Sequence, residues 1–387
     1  MDKGAIYAGI ALAHPIIAAS AGTTRDLDHC LRCEDAGFSA VILKSVQEEV
    51  LMRHNPFPRF KVLRSGVRSY ESTTFYCYEQ AYEGDIDDYC ETVSRVKARL
   101  SVPVVASVNC ITLQAWPEYA KACEQAGADA LEIVPSCPTG MLMRESANDI
   151  HSIVVAALRE VKAAVGIPVI PKMTRQLADI PFTARALDQA GADGITMLNR
   201  STGLDIDVRA QAPVLHGGYA GHGGSWSLYE VLRWITAVQG AVRAPICATG
   251  GAMTGEDVVK CLLAGAQSVQ VASVLYLKGY GWVREMLRWI DAYMEEMSIE
   301  RLGDVVGRAA RAMKRMDEYD RVHEFYAVCD AEKCRKCGLC ADVCIYEALD
   351  ASGGAARIDP QKCDGCGLCA GVCRHGAITM IGRSGTA

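Results

Sequence analysis

The sequence predicts an α/β chain in two parts: a closed barrel of eight parallel strands alternating with helices, and a small cysteine-rich C-terminal domain. Two observations predict it. Eight short apolar runs recur along the first three quarters of the chain, separated mostly by segments of helical length, and one cysteine run occurs twice near the end. The chain has 387 residues, 50% of them hydrophobic and 22% charged, enough apolar material for a barrel of about 250 residues plus a tail module.

In order, the runs are PIIAAS (15–20), AVILKS (40–45), VPVVASV (102–108), ALEIVPS (130–136), PVIPKM (168–173), GITMLN (194–199), APICATG (244–250) and SVQVAS (268–273). Short and rich in Val and Ile, they read as strands. Four follow one recurring helix ending: EDAGFSAV, EQAGADAL, DQAGADGI and LLAGAQSV. Each places Gly just past an apolar helix face, where a left-handed cap needs no side chain, and then launches a buried strand. Eight such units make a TIM (β/α)8 barrel, whose site lies at the C-terminal strand ends; a doubly wound open sheet is the competing reading. The expected domains are 1–325 and 326–387. The segment between Val46 and Tyr89, which carries NPFPRF, and the stretch 200–227, which carries HGGYAGHGG, are expected as functional loops at the barrel mouth. Residues 279–325 are expected to be helical and to lead into the tail.

A formal net charge of -6 leaves no basic footprint for a phosphate backbone, so nucleic acid is not an expected partner. The opening MDKGAIYAGIALAHPIIAASAG imitates a secretory signal, but His14-Pro15 interrupts it and the run continues into the first strand. No uncharged apolar stretch reaches the ~18 residues of a membrane span. Of the 18 cysteines, those in the repeated runs need reduced thiolates, which points to the cytoplasm.

The repeated run is C-x2-C-x2-C-x3-C, at Cys334, Cys337, Cys340 and Cys344 and again at Cys363, Cys366, Cys369 and Cys373. Three closely spaced thiolates cap three corners of a cubane if the backbone wraps tightly, as Gly338 and Gly367 permit. In the bacterial two-cluster ferredoxin arrangement the fourth cysteine serves the other cluster. One 4Fe-4S cluster is therefore assigned to Cys334, Cys337, Cys340 and Cys373, and the second to Cys363, Cys366, Cys369 and Cys344. Zinc knuckles, the bland alternative, close with two CxxC pairs rather than this triple spacing. Ile345 and Arg374 stand where proline usually follows the fourth cysteine.

Two such centres pass single electrons, so the barrel should hold their customer. Polar residues gather where the strands finish: Ser20, Lys44, Asn109, Cys137, Lys172, Asn199 and Thr249-Gly250-Gly251. Lys44 and Lys172 each end an apolar strand, so the stem can lie along the wall while the ammonium reaches the mouth. TGG after the seventh strand and VAS at the end of the eighth can aim backbone N–H groups at a phosphate. A phosphorylated two-electron cofactor that also exchanges single electrons is a flavin, most simply FMN. GGYAGHGG has the wrong spacing for a dinucleotide fingerprint. Cys137, in the Pro- and Gly-bounded PSCPTGM loop, is a candidate proton donor, whereas Cys30, Cys33, Cys77, Cys90, Cys110, Cys123, Cys247 and Cys261 read as small core hydrophobes.

HPIIAAS, LKS, NPFPR, GADALEIVPSCP, PKMT, GADGITMLN, ATGG and the two cysteine runs resemble the class 1 dihydroorotate dehydrogenases and the pyrimidine-reducing part of dihydropyrimidine dehydrogenase. The resemblance implies hydride exchange between FMN and a carbon–carbon double bond conjugated to a carbonyl, with Cys137 as acid/base. It also implies Lys44, Lys172 and Asn109 along the flavin, and Gly221, Gly250, Gly251, Ala272 and Ser273 around its phosphate. Departures fall where substrate is read. Val134 stands where the family has a ring-binding asparagine, Thr139 occupies another reading position, and Arg200 follows Asn199 in place of Thr or Ser. Arg144, Arg175 and Arg200 can hold a carboxylate or other anion. The expected substrate is thus a small, anionic, conjugated molecule rather than a standard pyrimidine. The expected electron donor is ferredoxin or an NAD(P)H-oxidising flavoprotein subunit, in a homodimer or hetero-oligomer. Competing readings are a tRNA dihydrouridine synthase-like enzyme, disfavoured by the acidic charge, and a non-catalytic electron-transfer subunit.

Overall fold

Eight parallel strands form β1 (Ile16–Ala18), β2 (Val41–Ile42), β3 (Val104–Asn109), β4 (Ala130–Ile133), β5 (Val169–Pro171), β6 (Ile195–Met197), β7 (Ile246–Thr249) and β8 (Ser268–Val271), in a computed structural model. It describes residues 1–49, 59–67, 70–77, 82–135, 147–175, 179–214, 218–319 and 325–382. Every strand lies in or against one of the predicted runs. They pair in the order β5-β4-β3-β2-β1-β8-β7-β6, and a parallel bridge between Lys172 and Thr196 joins the two ends, with the Met173 N–H donating to the Thr196 carbonyl at 3.0 Å. That closure rules out the open doubly wound sheet. The chain divides into two compact units, Met1–Ala312 and Met313–Ala387.

Outside the strands run α1 (Leu27–Ala36), α2 (Ile86–Lys97), α3 (Ala115–Gln125), α4 (Ala147–Ala164), α5 (Ile180–Gln189), α6 (Leu228–Val238), α7 (Gly255–Ala264), the short α8 (Ser273–Lys278) and α9 (Trp282–Glu296). Four of their starts are side-chain capped: Asp26 accepts from the His29 N–H and Asp179 from that of Phe182, while Asp85 and Thr254 make reciprocal boxes with Asp88 and Asp257. The predicted glycine endings hold. Gly37 sits at φ 103° and returns its N–H to the Cys33 carbonyl, closing α1 before β2.

Alternate residues of each strand face the barrel interior, which is layered. At the base Ile17, Ile42, Val105, Ala130, Ile170 and Cys247 pack with Tyr7, Ala8 and Leu12 of an N-terminal hairpin, Ala5–Tyr7 with Ile10–Leu12, which plugs the barrel. Two residues further along the strands the interior turns polar. Lys172 Nζ donates to Glu132 Oε1 at 3.1 Å and to Gln270 Oε1 at 3.0 Å, while Glu132 Oε2 accepts from Thr196 Oγ1 at 3.0 Å and Gln270 Nε2 at 2.7 Å. The plug joins this layer through Tyr7 Oη, 3.2 Å from Thr196 Oγ1. Glu132 is wholly buried, so the pair persists only because each of these polar atoms has a partner.

The two stretches expected as loops instead make a four-stranded antiparallel sheet. A hairpin of Phe60–Val67 and Tyr70–Cys77 pairs through its second strand with Ala220–Gly223, which pairs in turn with Ser201–Gly203. Gly-rich sequence becomes strand here because both edges of Ala220–Gly223 are taken up by partners. Residues 279–325 are only partly helical: after α9, left-handed Ser298 and Gly307 limit the chain to the turns Leu302–Val305 and Arg308–Arg311, and Phe325 already begins a strand.

The second unit is an internal two-fold repeat. Lys336 and Gly365 share a left-handed backbone, φ 58° and 77°, as do Gly338 and Gly367. The Cys334 and Cys363 N–H groups donate to Asp330 and Asp359, whose own N–H groups reach across to Ala377 and Ala348 respectively. Strands Phe325–Cys329 and Ile378–Gly382, and Leu349–Asp350 and Arg357–Ile358, tie the halves together. None of the described helices is long and apolar enough to cross a membrane.

Replacing Tyr7 with Phe removes only the hydroxyl that links plug to polar layer. Denaturant unfolding of the barrel should show a loss of about 1 kcal/mol without loss of native structure.

Candidate active site and thiolate sites

At the C-terminal ends of the strands a cavity opens. Sequence-predicted residues meet in its wall: Ser20, Lys44, Lys172, Asn199 and Arg200 from the ends of β1, β2, β5 and β6, then Gly250, Gly251, Ala272 and Ser273 beyond β7 and β8, with Gly221 entering from the four-stranded sheet. Asn109 is not among the lining residues. It is buried and continues β3, pairing with Gln47, while its carbonyl accepts the Glu48 N–H at 3.0 Å. Cys137, Thr139 and Arg144 lie outside the described residues, as does most of NPFPRF.

Each wall has a physical cause. Gly250 and Gly251 stand at φ 113° and 86°, in the region that disfavours side chains, and a Cβ on Gly251 would collide with the Leu228 backbone nitrogen. Both glycines line the cavity and present backbone to it, which suits a phosphate. On the β1–β3 side, Ser45 Oγ bridges Ser20 Oγ at 2.9 Å and Ser107 Oγ at 2.8 Å. Lys172 arrives already oriented by Glu132 and Gln270.

The remaining wall is cationic and aromatic. Arg175 donates Nε to the Asn199 carbonyl at 3.0 Å and pairs with Glu230, and burial pulls its guanidinium below the ordinary range against that acidic neighbour. Arg200 lies over Gly221, where a Cβ would collide with its guanidinium, and donates to the Cys77 carbonyl at 3.3 Å. His222 stacks between Tyr76 and Trp226, with centroids 5.4 and 5.1 Å away. Burial first, and the Arg175 charge second, hold its imidazole below the usual pKa, so it is neutral at neutral pH. Val134 is on the same cavity wall and offers only methyl groups.

Reading strand ends alone misses the polar layer of Glu132, Thr196 and Gln270, and the stack around His222. The first had a signal, because a charged or amide residue in the middle of an apolar strand must be explained. The second had none, since it forms by pairing of distant segments.

In the tail, Cys334, Cys337, Cys340 and Cys373 line one cavity, three from the first run and the last from the second. These are the four cysteines that the sequence assigns to one cluster. The Ala377 N–H lies 3.3 Å from Cys373 Sγ and the Ala327 N–H 3.5 Å from Cys363 Sγ, donors of the kind that hold thiolates. Cys363 and Cys366 neighbour Cys369, and Cys344 and Cys366 both neighbour Tyr346.

For the cradle, Gly251→Ala should cost stability and abolish retention of any phosphate-bearing cofactor. Protein-bound absorbance after gel filtration, beside a thermal melt, checks both.

Comparison with known proteins places this geometry. A family model described as dihydroorotate dehydrogenase matches residues 5–294, and one described as a 4Fe-4S binding domain matches residues 356–379. The chain is 27% identical over 357 residues to the NAD-dependent dihydropyrimidine dehydrogenase subunit PreA of Escherichia coli (strain K12), covering 89% of this chain and 85% of that protein. It is 29% identical over 305 residues to dihydroorotate dehydrogenase A (fumarate) of Lactobacillus delbrueckii, covering 78% and 96%. With the catalytic subunit of dihydroorotate dehydrogenase B (NAD(+)) of Shouchella clausii it shares 31% over 210 residues, 53% and 68%. A closed barrel with a cradle and cations at its mouth, matched over most of its length, makes this chain an oxidoreductase that belongs to the dihydroorotate dehydrogenase family and carries a 4Fe-4S binding tail.

Proposed function

We propose that the protein is an FMN-dependent oxidoreductase acting on a carbon–carbon bond conjugated to a carbonyl, fed through two 4Fe-4S clusters by a separate electron-donor protein. The single observation that carries this is the cavity in which Lys44, Lys172, Asn199 and the Gly250-Gly251 cradle meet. The residues fit the cofactor: Gly250, Gly251, Ala272, Ser273 and Gly221 would hold its phosphate end, and Lys44, Lys172 and Ser20 its ring. Bound there, a flavin supplies two-electron exchange with a carbon centre and one-electron exchange with the tail.

The chain's own residues do the rest. Glu132 and Gln270 hold the Lys172 ammonium at the floor of the cavity, where positive charge favours the extra electrons of the reduced state. The Cys137 thiol would hold the proton exchanged with the carbon next to the one that exchanges hydride. Val134 cannot donate to or accept from a ring amide, and a site built to read such groups discriminates by up to about 10⁴. With Arg175 and Arg200 on the wall, the substrate class is an anionic, conjugated compound other than a standard pyrimidine.

The test is anaerobic. Reduced protein is mixed with uracil, thymine, orotate and a set of α,β-unsaturated carboxylates, and flavin absorbance is followed. Reoxidation by a carboxylate and not by the pyrimidines is expected; rapid recovery with uracil would sink the substrate assignment. Cys137→Ala should keep flavin and iron yet lose at least about 10²-fold in turnover, and unchanged turnover would remove the thiol from the mechanism. Val134→Asn should raise kcat/KM for uracil about tenfold, with unchanged kinetics showing that this position does not read the ring.

A further inference from the structure

The two cysteine runs share a backbone but not a charge. Position by position in the repeat, Arg335 answers to Asp364, Lys336 to Gly365, Arg374 to Ile345 and His375 to Tyr346. Arg335, Lys336 and His375 all line the cavity of Cys334, Cys337, Cys340 and Cys373. Around the other set, Asp364 is an acidic neighbour of Tyr346, which also neighbours Cys344 and Cys366. A lysine could not stand at Gly365, because a Cβ there would collide with the Phe325 carbonyl, whereas Lys336 takes the same left-handed backbone. Lys333 and Lys362 are equivalent and cancel. Glu332, opposite Gln361, and Asp342, opposite Gly371, reduce the basic excess of the first site without removing it, because Arg335, Lys336 and Arg374 outnumber them.

The Cys329 thiol, which donates to the Asp330 carbonyl at 3.7 Å, has as its counterpart in the other half Ile358, which has no donor. A cluster becomes more negative when it takes up an electron, so nearby cations and donors to its sulfurs favour the reduced form.

Resting on the two-cluster reading above, we infer that the sites are ordered: the cluster held by Cys334, Cys337, Cys340 and Cys373 takes the first electron, and the cluster held by Cys363, Cys366, Cys369 and Cys344 is the harder one to reduce. Each step is a one-electron reduction by an external donor, with no bond made or broken and no proton required. Arg335 and Lys336 on one side, and Asp364 on the other, set the order.

The experiment is an anaerobic, mediated redox titration of the holoprotein, followed by electron paramagnetic resonance. Two midpoints are expected, separated by at least tenfold in equilibrium constant, about 59 mV for one electron. Arg335→Asp should lower the upper midpoint alone and Asp364→Arg should raise the lower one alone. In the unaltered protein the gap should narrow as salt is raised, because exposed charges are screened. A shift of the opposite midpoint in either variant, or a gap indifferent to both variants and to salt, would overturn the ordering. About eight irons per chain with coincident midpoints would refute the ordering alone. About four irons with a single midpoint would remove the two-cluster reading and the ordering with it.

Discussion

A carboxylate and an ammonium lie side by side inside the barrel, and most of what is above and below them follows from that pair. Neither Glu132 nor Lys172 could be buried alone, since an isolated interior charge costs several kcal/mol. Each is buried because Gln270 and Thr196 supply the remaining hydrogen bonds, and because β4, β5, β6 and β8 bring those four residues to one level. The barrel seam between β5 and β6 closes at Lys172 and Thr196 themselves. Strand register, barrel closure and the aim of the lysine are thus one constraint.

That constraint separates two chemistries along one axis. Below it the interior is apolar and stoppered by Tyr7, so water has no reason to enter from the base. Above it the strands end in Ser, Lys, Asn, Arg and Gly, a wall of donors and bare backbone. The protein keeps its reactive face at one end by making the other end a packed core, the usual economy of this fold.

How much of this was legible depends on where each signal resides. Barrel strands covered on both faces need continuous apolar sequence, so all eight runs could be seen, and the repeated cysteine spacing marks which thiols can converge on one cavity. Asn109 ends an apolar run as the other polar residues do, but β3 continues through it and pairs it with Gln47. The sheet at the mouth was invisible for a deeper reason. Ala220–Gly223 has no strand propensity of its own and becomes a strand only by pairing with Cys77 and Thr202 at once.

The same sheet carries a consequence for how the molecule comes to be made. Its strands are drawn from opposite halves of the barrel sequence, and the register of Tyr76 against His222 cannot form until both halves are present. Contacts of such wide separation are the slowest to form, since loop closure precedes their reward. During synthesis the cradle and the cationic wall therefore mature after most of the barrel has emerged. A cofactor that needs them can be captured only by a nearly finished chain, which makes cofactor loading a checkpoint on folding rather than a seed for it.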